Sequence, residues 1–140
     1  TLSGSGAVEK TGAGTLTLAP ASGNTYAGGT TLSQGVLSVA ADAALGAASG
    51  PLVFNGGTLQ LGGAFDLDAA RALSITANNG AIDTQGFNST LAQGISGVGA
   101  LTKLGSGTLT LNGASSHAGG TNIAAGTLVL GSSSSAAASL

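Results

Sequence analysis

The sequence predicts an all-β chain wound as a parallel β-solenoid of about six coils. Three observations predict it. First, a short phrase returns six times: Gly, any residue, then Leu, Ile or Val, a polar residue, and commonly another apolar one. It stands at 14–18, 35–39, 57–61, 80–84, 107–111 and 126–130, at intervals of 21, 22, 23, 27 and 19 residues. Second, each phrase alternates apolar with polar positions, the period of a strand that buries one face. Third, the composition suits a thin interior, with 26 Gly, 3 Phe, 1 Tyr and neither Trp nor Met in 140 residues.

The elements follow in order. A partner phrase begins eight residues ahead of two of the six, at 6–10 (GAVEK) and 99–103 (GALTK). A second kind precedes others, at 30–33 (TTLS) and 121–124 (TNIA). Two or three short strands per repeat of about 20 residues make one coil, and each strand pairs with its counterpart ~4.8 Å along, giving a rod of roughly 30 Å. Leu16, Leu37, Leu59 and Ile82 then point inward as one aliphatic column. Thr15, Thr17, Ser33, Thr58, Gln60, Thr108 and Thr110 point outward. Residues 40–46 (AADAALG) suit a single helical turn ending at Gly46. Pro51 has no N–H to give to a ladder and is expected to begin a strand. Residues 62–70 fit either a corner loop or a short strand. The tail at 131–140 is low in complexity and is expected to fray. The first and last coils are expected to present open sheet edges that neighbouring chain or a partner covers.

Composition excludes several classes. Three cations against five carboxylates, net −2, cannot supply a nucleic-acid surface. Absence of Cys removes disulfide frameworks, thiolate metal sites and cysteine nucleophiles. Mean hydropathy is positive at +0.42, yet the longest apolar runs are short, as at Leu52, Val53 and Phe54, so no transmembrane helix is expected. Disorder goes with low hydrophobicity and high charge, and this chain has neither. No signal peptide is expected at Thr1–Gly4, and the pattern suggests a single β-helix segment, residues 1–140, of a longer chain.

A longer repeat underlies the short one. Residues 2–18 match 95–111, and after a two-residue gap 26–37 match 117–128. These residues resemble the passenger-associated repeat of bacterial autotransporters, also called the autotransporter-associated β-strand repeat. The pattern is met at Lys10, Gly12–Leu18, Asn24–Thr30, Leu32 and Gly35–Leu37. The second copy departs at Ser115, Ser116 and His117, where Asn-Thr-Tyr is expected. The resemblance implies a right-handed parallel β-helix in a surface-exposed or secreted passenger of a Gram-negative cell. It also implies export through the periplasm and outer membrane, with the chain's own C-terminal outer-membrane β-barrel translocator as partner. No residues after Leu130 show the alternating segments of such a barrel.

Candidate chemistry is sparse. Asp66 and Asp68 share a face if their segment is a strand, and with Arg71 nearby they suggest half a calcium site or an acid/base pair. The simpler reading is a solvated corner whose carboxylates accept local backbone hydrogen bonds. Asp83, between glycines, is expected to serve a corner in the same way. His117 takes the slot of Tyr26, which suggests packing rather than a metal or acid/base role. Lys10 and Lys103 are equivalent by repeat and are expected to be structural. Asn88-Ser89-Thr90 has the form of a glycosylation acceptor, and Gly4–Gly6 and Gly12–Gly14 lack the strand–helix context of a phosphate cradle. The sequence therefore assigns no catalytic, cofactor-binding or metal-ligating residue and points away from an enzyme. The leading expectation is a structural, secretion-assisting stalk. The alternative is an adhesin or self-association module using the outward polar rows to bind glycans, host surfaces or like copies. A glycan-cleaving enzyme would require Asp66, Asp68, Asp83 and Arg71 to cluster.

Overall fold

The computed structural model describes residues 1–131. In chain order its strands are β1 (Val8–Lys10), β2 (Thr15–Leu18), β3 (Thr30–Leu32), β4 (Val36–Val39) and β5 (Leu52–Phe54). There follow β6 (Thr58–Leu61), β7 (Leu73–Ile75), β8 (Gly80–Asp83), β9 (Ser89–Leu91) and β10 (Ile95–Gly97). The last are β11 (Leu101–Leu104), β12 (Thr108–Leu111), β13 (Thr121–Ile123) and β14 (Thr127–Leu130). All pair in parallel, each with strands one coil away, so the chain is a β-solenoid of about six turns.

Three sides result. The first carries β1-β3-β5-β7-β10, the second β2-β4-β6-β8-β11-β13, and the third β9-β12-β14. Nearer the N-terminus the third side has no strand. Residues 24–28 instead stack on 2–6, with Thr25, Ala27 and Gly28 donating N–H to the carbonyls of Leu2, Gly4 and Gly6 at 2.8, 2.9 and 2.9 Å. One coil on, a 3-10 turn spans Asp42–Leu45 and stops at Gly46, whose φ of 81° suits a residue without Cβ. This is the helical turn expected there. Pro51 stands just before β5, and its carbonyl accepts from Thr30 N at 2.8 Å, so the missing N–H costs the ladder nothing. Residues 62–70 form a loop with Leu67 tucked into the core.

Inward apolar residues from all three sides fill the interior: Leu37, Leu59 and Ile82 from the second, Leu32, Phe54 and Ile95 from the first, Leu91, Leu109 and Leu111 from the third. Complete burial of a Leu contributes ~1.5–3 kcal/mol.

Two expectations need correction. Leu16 faces Leu37 in register but remains 42% exposed, because it lies on the outermost coil with nothing stacked beneath it. The six phrases also do not share one side. Those at 14–18, 35–39, 57–61 and 80–84 become β2, β4, β6 and β8, whereas those at 107–111 and 126–130 become β12 and β14 on the third side. Ladder register fixes the coil at 21 residues here, Gly80 opposite Leu101, so a phrase arriving after 27 overshoots by one side. The tail expected to fray lies, from 132 onward, outside the described residues; Gly131 N still donates to Leu111 O at 2.7 Å.

Candidate functional site

Each long repeat is a pair of stacked coils. In the first copy β3 lies on β1 and β4 on β2; in the second β13 lies on β11 and β14 on β12. The same local unit therefore occurs twice, turned by one side of the solenoid.

A buried lysine closes each unit. The third residue of β1 points inward, and Lys10 Nζ donates to the carbonyls of Thr11 and Gly12 at 2.6 and 2.8 Å and of Gln34, one coil along, at 3.4 Å. Lys103 Nζ does the same with Leu104, Gly105 and Ala125 at 2.7, 2.8 and 3.3 Å. Three carbonyls match the three protons of an ammonium, so the charge is buried with its donors used. Burial pushes the Lys103 pKa down, and the Asp83 carboxylate partly offsets this.

The corner between the coils is pinned twice more. Tyr26 Oη meets Thr30 Oγ1 at 2.7 Å, and His117 Nε2 meets Thr121 Oγ1 at 2.8 Å. His117 thus does the packing and hydrogen bonding of Tyr26, as the alignment suggested, and burial lowers its pKa against the opposing Ile95 carbonyl. Asn24 Oδ1 accepts from Leu2 N at 2.8 Å; in the second copy Ser115 Oγ accepts from Ile95 N at 3.4 Å. A departure from the repeat pattern at Ser115 thus preserves the acceptor.

The carboxylates singled out in the sequence do not converge. Asp66 Oδ1 accepts from Thr90 N, Asp68 Oδ1 from Ala70 N, and Asp83 Oδ1 from Gln85 N, at 2.8, 2.8 and 2.9 Å. Asp83 Oδ2 also accepts from Gln60 Nε2 at 3.1 Å. Arg71 is fully buried and pairs with Asp42, Nε to Oδ1 and Nη2 to Oδ2, both 2.9 Å. Its remaining protons go to the carbonyls of Leu45, Gly46, Ala47 and Gly50 at 3.0–3.2 Å. Sequence reasoning missed Asp42, which sits 29 residues from Arg71, more than one coil, in an alanine-rich loop. Gln93 Nε2 then donates to Asp68 O and Arg71 O at 3.0 and 2.9 Å. Where the third side lacks strands, a column of polar side chains takes over from the ladder.

Elsewhere Asn88 Oδ1 caps the ladder by accepting from Thr108 N at 2.9 Å. Thr15 and Thr17 are exposed, while Ser33, Thr58, Gln60, Thr108 and Thr110 are half-buried between neighbours. Among the described residues no group of three His, Asp or Glu could hold a metal ion, and no helix is long and apolar enough to cross a membrane. Arranged this way, the site residues join coil to coil.

A family model described as the passenger-associated-transport-repeat matches residues 8–39 and 101–130, from the first residue of β1 to the last of β4 and from the first of β11 to the last of β14. The chain is 41% identical over 112 residues to the adhesin BmaC autotransporter of Brucella suis biovar 1 (strain 1330), covering 79% of this chain and 3% of that protein's length. No solved structure matches the chain significantly. With two matches to this repeat and that identity, the chain belongs to the autotransporter passengers that carry passenger-associated-transport repeats.

Proposed function

We propose that this segment is a stalk of a surface-exposed or secreted passenger, and that its two repeats are clamps which secure newly stacked coils during export. The observation that carries this reading is the lysine clamp: Lys10 and Lys103 each bind carbonyls of two successive coils through the same three contacts on different sides of the solenoid. A clamp of this kind acts on the backbone and depends little on what the outer faces carry. In an exported chain, each finished coil offers the next an aliphatic floor and a free strand edge, and coils closed outside the cell bias the chain against sliding back. The Gram-negative surface, and a C-terminal outer-membrane barrel as translocator, belong to this proposal through the family. Asp66, Asp68, Asp83, Arg71 and His117 are structural in it, without catalytic or cofactor role.

Surface display of the whole passenger tests it. Leu59→Asp and Leu109→Asp, each placing a charge in the buried column, should reduce the amount of passenger reaching the cell surface. Display equal to wild type would remove the link between coil stacking and export.

A second reading, adhesion, is favoured by one finding, that the relative is named an adhesin. Its surface would be the outward Thr, Ser and Gln positions, offered to glycans, host surfaces or like copies. Mixing tagged strains that display the passenger with and without Thr15, Thr17 and Thr58 replaced by Ala separates adhesion from a passive stalk.

A further inference from the structure

We propose that Lys10, Arg71 and Lys103 are cryptic cleavage sites, read by an endoprotease that requires lysine or arginine at the cut bond, and only when the coils around them have opened. The proposal goes beyond the stalk reading and does not depend on it, since it rests on the geometry of three peptide bonds and not on export.

These three residues are all the lysine and arginine in the chain. Cations ordinarily lie at a protein surface, because burial strips their hydration. Here the arrangement is inverted. Lys10, Arg71 and Lys103 are 6, 0 and 0% exposed, whereas Glu9, Asp66 and Asp68 are exposed and Asp42 and Asp83 half-buried.

A serine endoprotease of this specificity draws the cation into an acidic pocket and the carbonyl of the same residue into an oxyanion hole. Both groups are already engaged at every one of the three bonds. The Lys10 ammonium is held by the carbonyls of Thr11, Gly12 and Gln34, and its own carbonyl accepts from Ser33 N and Gln34 N at 2.9 and 3.2 Å. Lys103 repeats this, its carbonyl accepting from Ala124 N and Ala125 N at 2.9 and 3.3 Å. Arg71 reaches the same state by other contacts. Its guanidinium is gripped by Asp42 and loop carbonyls of the preceding coil, and its carbonyl accepts from Gln93 Nε2 of the following coil at 2.9 Å. Each lock therefore includes a partner from another coil, and separating the coils releases side chain and carbonyl together.

Compactness alone does not account for this protection. The loop at 62–70 carries exposed Ala69, and among the described residues nothing hydrogen-bonds to the Ala69 carbonyl. A cation at that position would be readable in the folded chain. Cleavage at a locked bond instead passes through an opened state and scales with its population when reclosing outpaces cutting. A protease of this class thus spares stacked coils and cuts unstacked chain, at the residues whose contacts lock the stack.

Trypsin digestion of the full chain, with each cut followed by mass spectrometry, tests this. In the folded chain, cuts after Lys10, Arg71 and Lys103 should be at least about 100-fold slower than in the chain unfolded in urea. Ala69→Lys should add a site cut at least about tenfold faster than those three under folding conditions. Gln93→Ala, which frees the Arg71 carbonyl and leaves the Asp42 pair in place, should speed the cut after Arg71 by about threefold or more and leave the two lysine sites unchanged. Native cleavage after any of the three as fast as at position 69 would overturn the proposal. So would equal rates in folded and unfolded chain, or a Gln93→Ala effect that is absent or shared by all three sites. Position 69 cut as slowly as the native sites would overturn it too, by assigning the protection to general rigidity.

Discussion

Removing either Asp42 or its partner Arg71 should destabilise the solenoid strongly, and removing both should cost less than the sum. Arg71 is fully buried, and its guanidinium cannot shed its charge. With Asp42→Ala it keeps the carbonyls of Leu45, Gly46, Ala47 and Gly50 but loses its counter-charge, so the cost approaches the ~3–5 kcal/mol of a buried ion stripped of its partner. Arg71→Met fills much of the same volume with apolar atoms and leaves the Asp42 carboxylate, 20% exposed, with water and the Asp68 N–H at 3.0 Å. What then remains is a set of carbonyls, those of Leu45 and Gly50 among them, at ~1–3 kcal/mol for each left buried and unpaired, less where the loop opens to solvent. Both variants are therefore expected to cost on the order of 3 kcal/mol or more, with the double variant less destabilised than the sum of the two. Urea unfolding gives the global values. Amide exchange at Ala47, whose N–H bonds to Tyr26 O at 2.9 Å, reports the loop itself. Additive effects would refute the view that the paired charge, rather than loop packing, governs this side.

Other outcomes follow from the same geometry. His117 has its pKa lowered from 6.5 by burial, so its contribution is intact above pH 6.5 and is lost as pH falls through that value toward the folded pKa; His117→Tyr, which installs the first copy's residue, should flatten this loss in thermal melts between pH 5 and 7. Leu109→Ala should cost about 2–5 kcal/mol in urea unfolding, and Leu16→Ala clearly less, because only Leu109 is enclosed on both sides. Lys103→Met should loosen the turn at 104–107 and its bond to Ala125, read as faster amide exchange there, while Lys103→Arg should fail to restore protection because a forked guanidinium does not fit three converging carbonyls.

The strands were legible because their cause is local. Alternation at 15–18, 58–61 and 108–111 survives in whichever side the chain reaches, and Gly46 and Pro51 act through their own backbone. The equivalences of Lys10 with Lys103 and of Tyr26 with His117 were visible for a related reason: a repeated two-coil unit repeats its contacts. The facing of those units was not visible. Which side a phrase occupies depends on the summed length of every intervening corner, and β9, a regular strand where earlier coils carry loops, lies in the interval that shifts the phase. The Asp42–Arg71 pair was hidden likewise, since two irregular corners of unequal length place it 29 residues apart. Asp66 and Asp68, nearer to Arg71 in sequence, accept from Thr90 N and Ala70 N instead.

The change of side between the repeats bears on what the segment does. The equivalents Lys10 and Lys103 stand 93 residues apart, which is four coils and one further side, so β1 and β2 reappear as β11 and β12 on neighbouring sheets. A multivalent adhesive surface gains from copies that face one direction, because a ligand array must reach them together. Here the threonines of GTLTL point away from the second side at 15–18 and away from the third at 108–111, so they form no common row. A coil-to-coil clamp has no such requirement. Its lysine, turn glycines and corner hydroxyl make the same contacts on any side, and the contacts are retained while the facing is not. The feature held constant between the copies is therefore the one that joins coils, which favours the stalk over the adhesive row as the role of the repeats themselves.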